Sequence, residues 1–284
     1  MRFLPPSRDA VPADVFAHPL FADLHGQRDL LCSRDWPEVA MLDARLQPLR
    51  HSVTGSSLSL RAQEDIIDDG LHYEERIFRD GVIATRACNW HDLLNALIWK
   101  IFPATKSALN ACQAQTLQRT GSRQRTRAQD AWTQFDEAGA MVVLRDPALL
   151  PLWDAHDWTA LFLRERSAWS DGRISLSVFG HAVMEHALHP QMLLVTKTLV
   201  FVADRDDAED IDRCTADAII GGDVLRDPQA LRPLPVSGIP GWHHARQDAA
   251  FYRDQPCFRP LRAGRSYPLP RPLRDPATAP AMSG

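Results

Sequence analysis

Apolar positions along the chain change spacing from one stretch to the next, and the changes outline the elements. Two short strand-like runs, 71–77 and 82–86, flank Arg79-Asp80-Gly81, and Asp-Gly between such runs predicts a β-hairpin. The second run delivers the chain to Asn89. Helices are expected at about 90–101 and 104–118, because Phe102 precedes Pro103. A residue before proline is pushed out of the helical region, while proline suits a first helical turn. The pattern then predicts a helix near 126–135, a turn at Asp136-Glu137-Ala138-Gly139, a strand at 140–144 and short helices across 147–166. A strand at 174–178, a helix at 180–188, a strand at 198–203 and a helix at 208–220 follow. This irregular order argues for an α+β fold, mostly helical and with a short antiparallel hairpin or sheet, over a doubly wound parallel sheet.

Prolines gather at the ends, six before residue 50 and eleven after residue 227, with only Pro103, Pro147, Pro151 and Pro190 between. Regular structure should therefore lie in the middle. The expected organisation is an N-terminal arm with a short helix over 1–60, one α+β core domain over 61–262, and a Pro-rich tail over 263–284. From Arg265 onward the tail reads as disordered or extended. Pro233 to Trp242, with Gly238 and Gly241, is expected to form an extended strap across a cleft.

Composition narrows the class. A 45% hydrophobic content over 284 residues is that of a globular protein with a sizeable core. Five widely spaced cysteines without a CxxC pair suggest neither a disulfide framework nor a thiolate zinc site, so a reducing, cytoplasmic setting fits. The N-terminus, rich in proline and charge, does not read as a secretory signal. The longest apolar run, Met192 to Ala203, is interrupted by Lys197 and is far short of the roughly 20 residues a membrane helix needs. A net charge of −4 gives no overall attraction to nucleic acid or to an anionic bilayer. The partner is then a small molecule or a protein.

Two constellations carry chemistry. In the 90–101 helix, Asn89 and Asp92 read as a capping pair in which Asp92 reaches back to the cap. Trp90, Leu93, Leu94, Leu97, Ile98 and Ile101 cover a broad apolar face, and His91 and Asn95 fall at its edge. The second is FGHAVMEHALHP at 179–190. There His181, Glu185 and His189 recur every fourth residue, within an arc of roughly 80°, and His186 points elsewhere. Polar groups at such half-buried edges need partners, since an unpaired one costs roughly 1–3 kcal/mol. If the two edges face each other, His91, Asn95, His181 and Glu185 converge. His181, Glu185 and His91 are candidate ligands for a divalent metal, although HxxxEH is not the zincin arrangement. The plainer reading makes all of these structural hydrogen bonds.

Arg119, Arg123, Arg125 and Arg127 form a basic stretch that, with Arg86, could hold a phosphate or carboxylate. Single-stranded nucleic acid would also need stacking aromatics, and only Trp132 is near in sequence. The turn function of Asp136-Glu137-Ala138-Gly139 explains its two acids better than nuclease chemistry does. No phosphate loop, GxSxG elbow or dinucleotide fingerprint is present.

Several strings together resemble a bacterial family known as the domain of unknown function three-thousand-and-twenty-five: YEERI at 73–77, TRACNWHDLLNALIWKIFP at 85–103, KSALN at 106–110 and FDEAG at 135–139. FGHAVMEHALHP at 179–190, PLPVSGIPGW at 233–242 and FYRDQPCFRP at 251–260 complete the likeness, which spans about 70–262. The resemblance implies that both helical constellations and the Pro-Gly-Trp segment belong to one domain of a proteobacterial protein. It implies no activity. The residues themselves favour a hydrolase for a small-molecule ester or phosphoester, with His91 and His181 as acid/base or ligand groups and Asp92, Asn95 and Glu185 orienting them. The alternative is a non-catalytic binding or scaffold protein whose polar groups are structural bonds and whose arginine stretch contacts an acidic partner.

Overall fold

The computed structural model describes residues 3–66, 70–120, 125–203 and 208–273. In chain order, α1 (Arg28–Cys32) and α2 (Val39–Leu46) precede β1 (Ser59–Ala62), α3 (Tyr73–Asp80) and β2 (Val82–Thr85). Helices α4 (Trp90–Ile101), α5 (Pro103–Thr120) and α6 (Arg127–Ala138) lead into β3 (Gly139–Leu144). After them come α7 (Leu150–Asp154), β4 (Ile174–Val178), α8 (His181–His186), β5 (Thr196–Val202) and α9 (Ala208–Ile220). Strand β6 (Arg232–Leu234), α10 (Ala249–Asp254) and β7 (Arg271–Pro272) complete an α+β fold. No helix among the described residues is long and apolar enough to cross a membrane.

Every residue of β3 is buried, as its unbroken apolar sequence requires of a strand covered on both faces. It pairs antiparallel with β4, placing Ala140 opposite Val178, and parallel with β5, placing Gly139 opposite Lys197. Strands β6 and β7 both join β5. The antiparallel pairing has a direct consequence: the start of β3 and the end of β4 lie at the same end of the sheet. The helices attached there, α6 and α8, therefore meet.

The expected hairpin around Arg79-Asp80-Gly81 is instead a helix-to-strand junction. Residues 73–80 form α3, Gly81 closes it in the left-handed conformation at φ 67°, and β2 then pairs in parallel with β1. Asp-Gly is as good a helix ending as it is a hairpin turn, and Glu74 and Glu75 in the first turn with Arg79 in the last suit a helix dipole. The turn expected at 136–139 is likewise the last turn of α6, which runs straight into β3. The break at Pro103 does separate α4 from α5. The freed N–H groups of Ala104 and Thr105 donate to the buried Asp212 carboxylate of α9 at 2.9 and 2.8 Å, a cap supplied from across the fold.

The N-terminal arm packs into the same core through Phe16, Leu20, Phe21 and Leu24. The Arg8 guanidinium lies between the rings of Trp36 and Trp90, 4.5 and 4.8 Å from their centroids, and Trp90 Nε1 donates to Pro6 O at 3.1 Å. Asp23 of the arm bonds Ser177 and Val178 at the end of β4. Pro233 to Trp242 adds β6 to the sheet and continues along the walls of two large cavities, neither of which includes His91 or His181. The proline-rich end pairs with the sheet, since β7 adds to β5 and Leu273 N donates to Val202 O at 3.0 Å, and the remainder of the expected tail lies outside the described residues. Proline is tolerated there because the strand lies at the margin of the sheet.

Gly81 is irreplaceable on two counts, since its φ disfavours any side chain and a Cβ would strike the Ser57 carbonyl oxygen. Gly81→Ala is expected to cost about 2–3 kcal/mol in urea unfolding. Burial pushes the Asp23 carboxyl up to about 6, against the bonds from Val178 and Ser177 and the charge of His25. A carboxyl raised in the folded state loses stability as pH climbs from about 4 through 6 and stays penalised above. Asp23→Asn keeps an acceptor without the charge. It should raise stability at pH 8 by about 2–3 kcal/mol and leave it unchanged at pH 4, as read by thermal melts at both values.

Candidate functional site

Two glycines bring the site together. Gly139 O accepts from the N–H groups of Phe179 and Gly180 at 3.0 and 2.8 Å. Gly180 then passes so close to the end of α6 that a Cβ there would sit 2.5 Å from Ala138 Cα and 2.6 Å from Glu137 O. Only glycine permits this approach. It sets His181, the first residue of α8, beside Glu137, and α4 docks against α8 to bring His91 to the same point.

His91 Nε2 lies 3.0 Å from His181 Nε2, and His181 Nε2 lies 3.8 Å from Glu137 Oε2. One ligand atom from each of His91, Glu137 and His181 falls within 4.8 Å of the others. His91 Nδ1 faces Glu185 Oε2 at 3.3 Å. Both imidazoles thus turn Nε2 inward, and Glu185 holds the outer nitrogen of His91. His181 Nδ1 is buried and unpaired, with the Asp136 backbone carbonyl the acceptor in reach of the ring. His91 and Glu137 keep 30% and 40% of their side-chain surface, whereas His181 keeps 4%, so solvent reaches the cluster past His91 and Glu137.

Burial depresses the His181 imidazole to about 3, with Lys106 and His91 adding to the effect against Asp136, and His181 is neutral at physiological pH. For His91 burial works the same way. There the bond to Glu185 and the charges of Glu137, Glu185 and Asp92 outweigh it and hold the ring above its usual value. Burial also raises the Glu137 carboxyl, helped by Asp136 and Glu185 and opposed by His91 and Lys106. A protonated His91 donating Nε2–H to the lone pair of a neutral His181 accounts for the 3.0 Å contact without a metal.

Behind the cluster runs a second chain of polar groups. The buried Lys106 ammonium bonds Asp136 Oδ1 at 2.6 Å and Asn95 Oδ1 at 2.8 Å, and Asn95 Nδ2 donates to the Tyr73 hydroxyl at 3.0 Å. Lys106, with its neighbours, holds Asp136 below the usual carboxylate range although burial opposes this. The adjacent Glu74 is pushed up to about 7, by burial first and Asp136 second.

Of the residues singled out in the sequence, His91, His181 and Glu185 meet directly, and Asn95 stands one bond away through Lys106. Asp92 does not join them. Its N–H is capped by Asn89 Oδ1 at 3.0 Å, as expected, but its carboxylate accepts from Arg86 N, Nε and Nη2 at 2.6, 3.1 and 2.7 Å rather than from the cap. Three of the expected anion-binding arginines, Arg86, Arg125 and Arg127, have their charges met within the chain. Arg86 is held by Asp92, Arg125 by Asp130 at 3.0 Å, Arg127 by Asp227 at 2.5 Å, and Arg119 bonds the Thr116 hydroxyl. Arg123 lies outside the described residues. His189 donates to Leu4 O and His186 packs on Phe3, 4.1 Å between centroids.

Sequence reasoning missed Glu137, Lys106, Asp136 and Tyr73. Reading 136–139 as a turn removed Glu137 from any helix, although Ala131, Phe135 and Ala138 continue the helical spacing to the edge of the strand. Lys106, Asp136 and Tyr73 begin or sit inside three of the strings that carried the family resemblance, KSALN, FDEAG and YEERI.

No curated protein and no solved structure matches the chain. Residues 58–262, which hold β1, the His91–Glu137–His181 cluster and the Lys106 network behind it, match a family defined as Protein of unknown function (DUF3025), and the chain belongs to that family.

Proposed function

We propose that His91, Glu137 and His181 bind one divalent transition metal and that the protein is a metal-dependent hydrolase of a small ester or phosphoester. The observation that carries this is the convergence of two Nε2 atoms and one carboxylate oxygen on a single half-open point. Two imidazoles and a carboxylate form a donor set suited to zinc or another first-row divalent ion, and three protein ligands leave a position for water. Metal–nitrogen bonds of about 2.0–2.1 Å at a tetrahedral angle set the two nitrogens about 3.3 Å apart, so the rings need to separate by only a few tenths of an ångström from 3.0 Å.

The surrounding residues support the same reading. Glu185 fixes the proton of His91 on Nδ1 and aims the Nε2 lone pair inward, the carboxylate–histidine arrangement that orients metal ligands. Burial keeps His181 neutral and able to donate its lone pair. A metal in this position would lower the pKa of bound water towards neutrality and supply hydroxide for attack on an ester carbonyl or phosphoryl centre. The exposed sides of His91 and Glu137 leave room for substrate to approach.

Elemental analysis of the full chain should find about one zinc, manganese, iron or cobalt per molecule. Glu137→Gln and His91→Ala should each lower affinity by tenfold or more in titration calorimetry, and Glu185→Gln by about 10–100-fold. The His91 pKa is held above its usual value, so metal binding competes with a proton there and should release it wherever the ring is protonated. The measured heat should then change with the ionisation enthalpy of the buffer, and affinity should fall as pH drops. Hydrolysis of p-nitrophenyl acetate or bis-p-nitrophenyl phosphate should disappear with chelation and return with metal. A protein without metal, whose Glu137→Gln and His91→Ala variants lose only melting temperature, would make the cluster a structural hydrogen-bond network.

A further inference from the structure

A cavity of about 630 Å³ lies between the segment leading into β5, the 228–233 strand approach and the turn of chain at 256–267. Leu193, Val195 and Lys197 alternate along one face of the extended chain and all border it. The floor is thus apolar up to the Lys197 amine. Arg259, Arg262 and Arg265 stand opposite, and no carboxylate among the described residues borders the cavity. In a chain of net charge −4, four cationic side chains share one concave space that no acid among the described residues borders.

The usual compensation is missing at this place. Many arginines elsewhere are paired with acids: Arg86 with Asp92, Arg127 with Asp227, Arg173 with Asp146, Glu165 and Asp171, and the buried Arg232 with Asp154 at 2.7 Å. Of the carboxylates close in sequence to lining residues, Asp154 is bonded to Arg232, and Asp227 is bonded to Arg127, which holds its carboxyl below the usual range with a smaller contribution from Arg265. Arg265 rests on the Tyr267 ring, 5.0 Å from its centroid, and its Nε is buried without a partner. Burial and the charges of Arg265 and Arg262 all lower the Lys197 pKa, so the amine is held where its own charge is disfavoured. The wall that carries these groups is firmly built. Arg259 O accepts from Trp158 Nε1 at 2.8 Å and from His156 Nδ1 at 3.0 Å, and the Tyr267 hydroxyl donates to His156 Nε2 at 2.9 Å. Like charges collected on a rigid wall cost free energy unless an anion offsets them.

We propose that this cavity binds a small organic anion, its carboxylate or phosphate group seated between Lys197, Arg262 and Arg265 and its apolar part on Leu193, Val195 and Leu231. Guanidinium forks suit either oxyanion, and the volume is that of a ligand larger than an inorganic ion. The site is separate from the His91–Glu137–His181 cluster and does not depend on the reading of that cluster.

The test is titration calorimetry of the full chain at low salt with three probes: phenyl phosphate, phthalate and inorganic phosphate. Chelator-dialysed Glu137→Gln protein is used so that no anion is counted on a metal. Phenyl phosphate or phthalate should bind once per chain with a Kd below about 1 mM, more tightly than inorganic phosphate. Whichever of the two is tighter identifies the oxyanion. Arg262→Ala and Arg265→Ala should each weaken binding about tenfold or more, rising salt should weaken it further, and Arg125→Ala should leave it unchanged. Arg262 is exposed, so its variant will fold even if Lys197→Met does not. Absence of binding by both organic anions up to about 10 mM, binding no tighter than inorganic phosphate, or binding indifferent to Arg262→Ala and Arg265→Ala would each overturn the proposal.

Discussion

The structure turns on a backbone contact, the approach of Gly180 to Glu137 and Ala138. Antiparallel pairing of β3 with β4 brings the end of α6 and the start of α8 to one end of the sheet, but only to within ordinary helix-packing distance. The missing Cβ at Gly180 lets the two backbones touch, and the two N–H donations into Gly139 O lock them there. That contact reduces the separation of His181 Nε2 and Glu137 Oε2 to 3.8 Å. The third member, His91, is held by the docking of α4, and α4 is itself pinned at Trp90 by the N-terminal arm through Arg8 and Pro6. A residue in the arm can therefore influence the cluster without approaching it.

Charge at the site is arranged in two layers that constrain each other. The inner layer buries an ammonium, which persists because Lys106 is bonded to both Asp136 and Asn95. Removing one partner of such a buried pair typically costs about 3–5 kcal/mol. With Asp136 committed to Lys106, it is not free to neutralise the histidines fully. The buried Lys106 charge adds to the desolvation that keeps His181 unprotonated. In the outer layer, Glu137 and Glu185 favour a proton on His91. The two histidines are 3.0 Å apart and sit in opposite protonation preferences. Two adjacent imidazolium ions would repel strongly, so this division is what permits the contact.

Much of this was legible in the residues. The α+β class, the break at Pro103, the strand at 174–178 and the helix at 208–220 follow from spacing and from proline chemistry, which act locally. Polar edges on two apolar helices also pointed to each other, because buried polar groups need partners. What escaped was set by tertiary context. Asp80-Gly81 fits a hairpin turn and a left-handed helix cap equally well, and only the parallel partner β1, more than twenty residues earlier, selects the cap. Glu137 looked like a turn residue because the turn chemistry of Asp-Glu-Ala-Gly is local, whereas the continuation of α6 is enforced by packing of Phe135 against Phe179 at 5.2 Å. The partner of Arg127 could not be read from local sequence, since Asp227 lies a hundred residues away.

The central strand also relates the two sites. Gly139 is flanked in the sheet by the end of β4 on one side and by Lys197 of β5 on the other. Helix α6, which ends at this point, contributes Glu137 to the histidine cluster and Gln134 to the basic cavity. Three residues apart on one helix, these side chains leave in directions that differ by about 60°, so one short segment borders both sites while β3 keeps their neighbours on opposite sides. A shift of α6 along its axis would change the depth of Glu137 among the histidines and of Gln134 in the cavity together. The covalent join of α6 to a fully buried strand opposes such a shift. The geometry of each site is for that reason tied to the same rigid element.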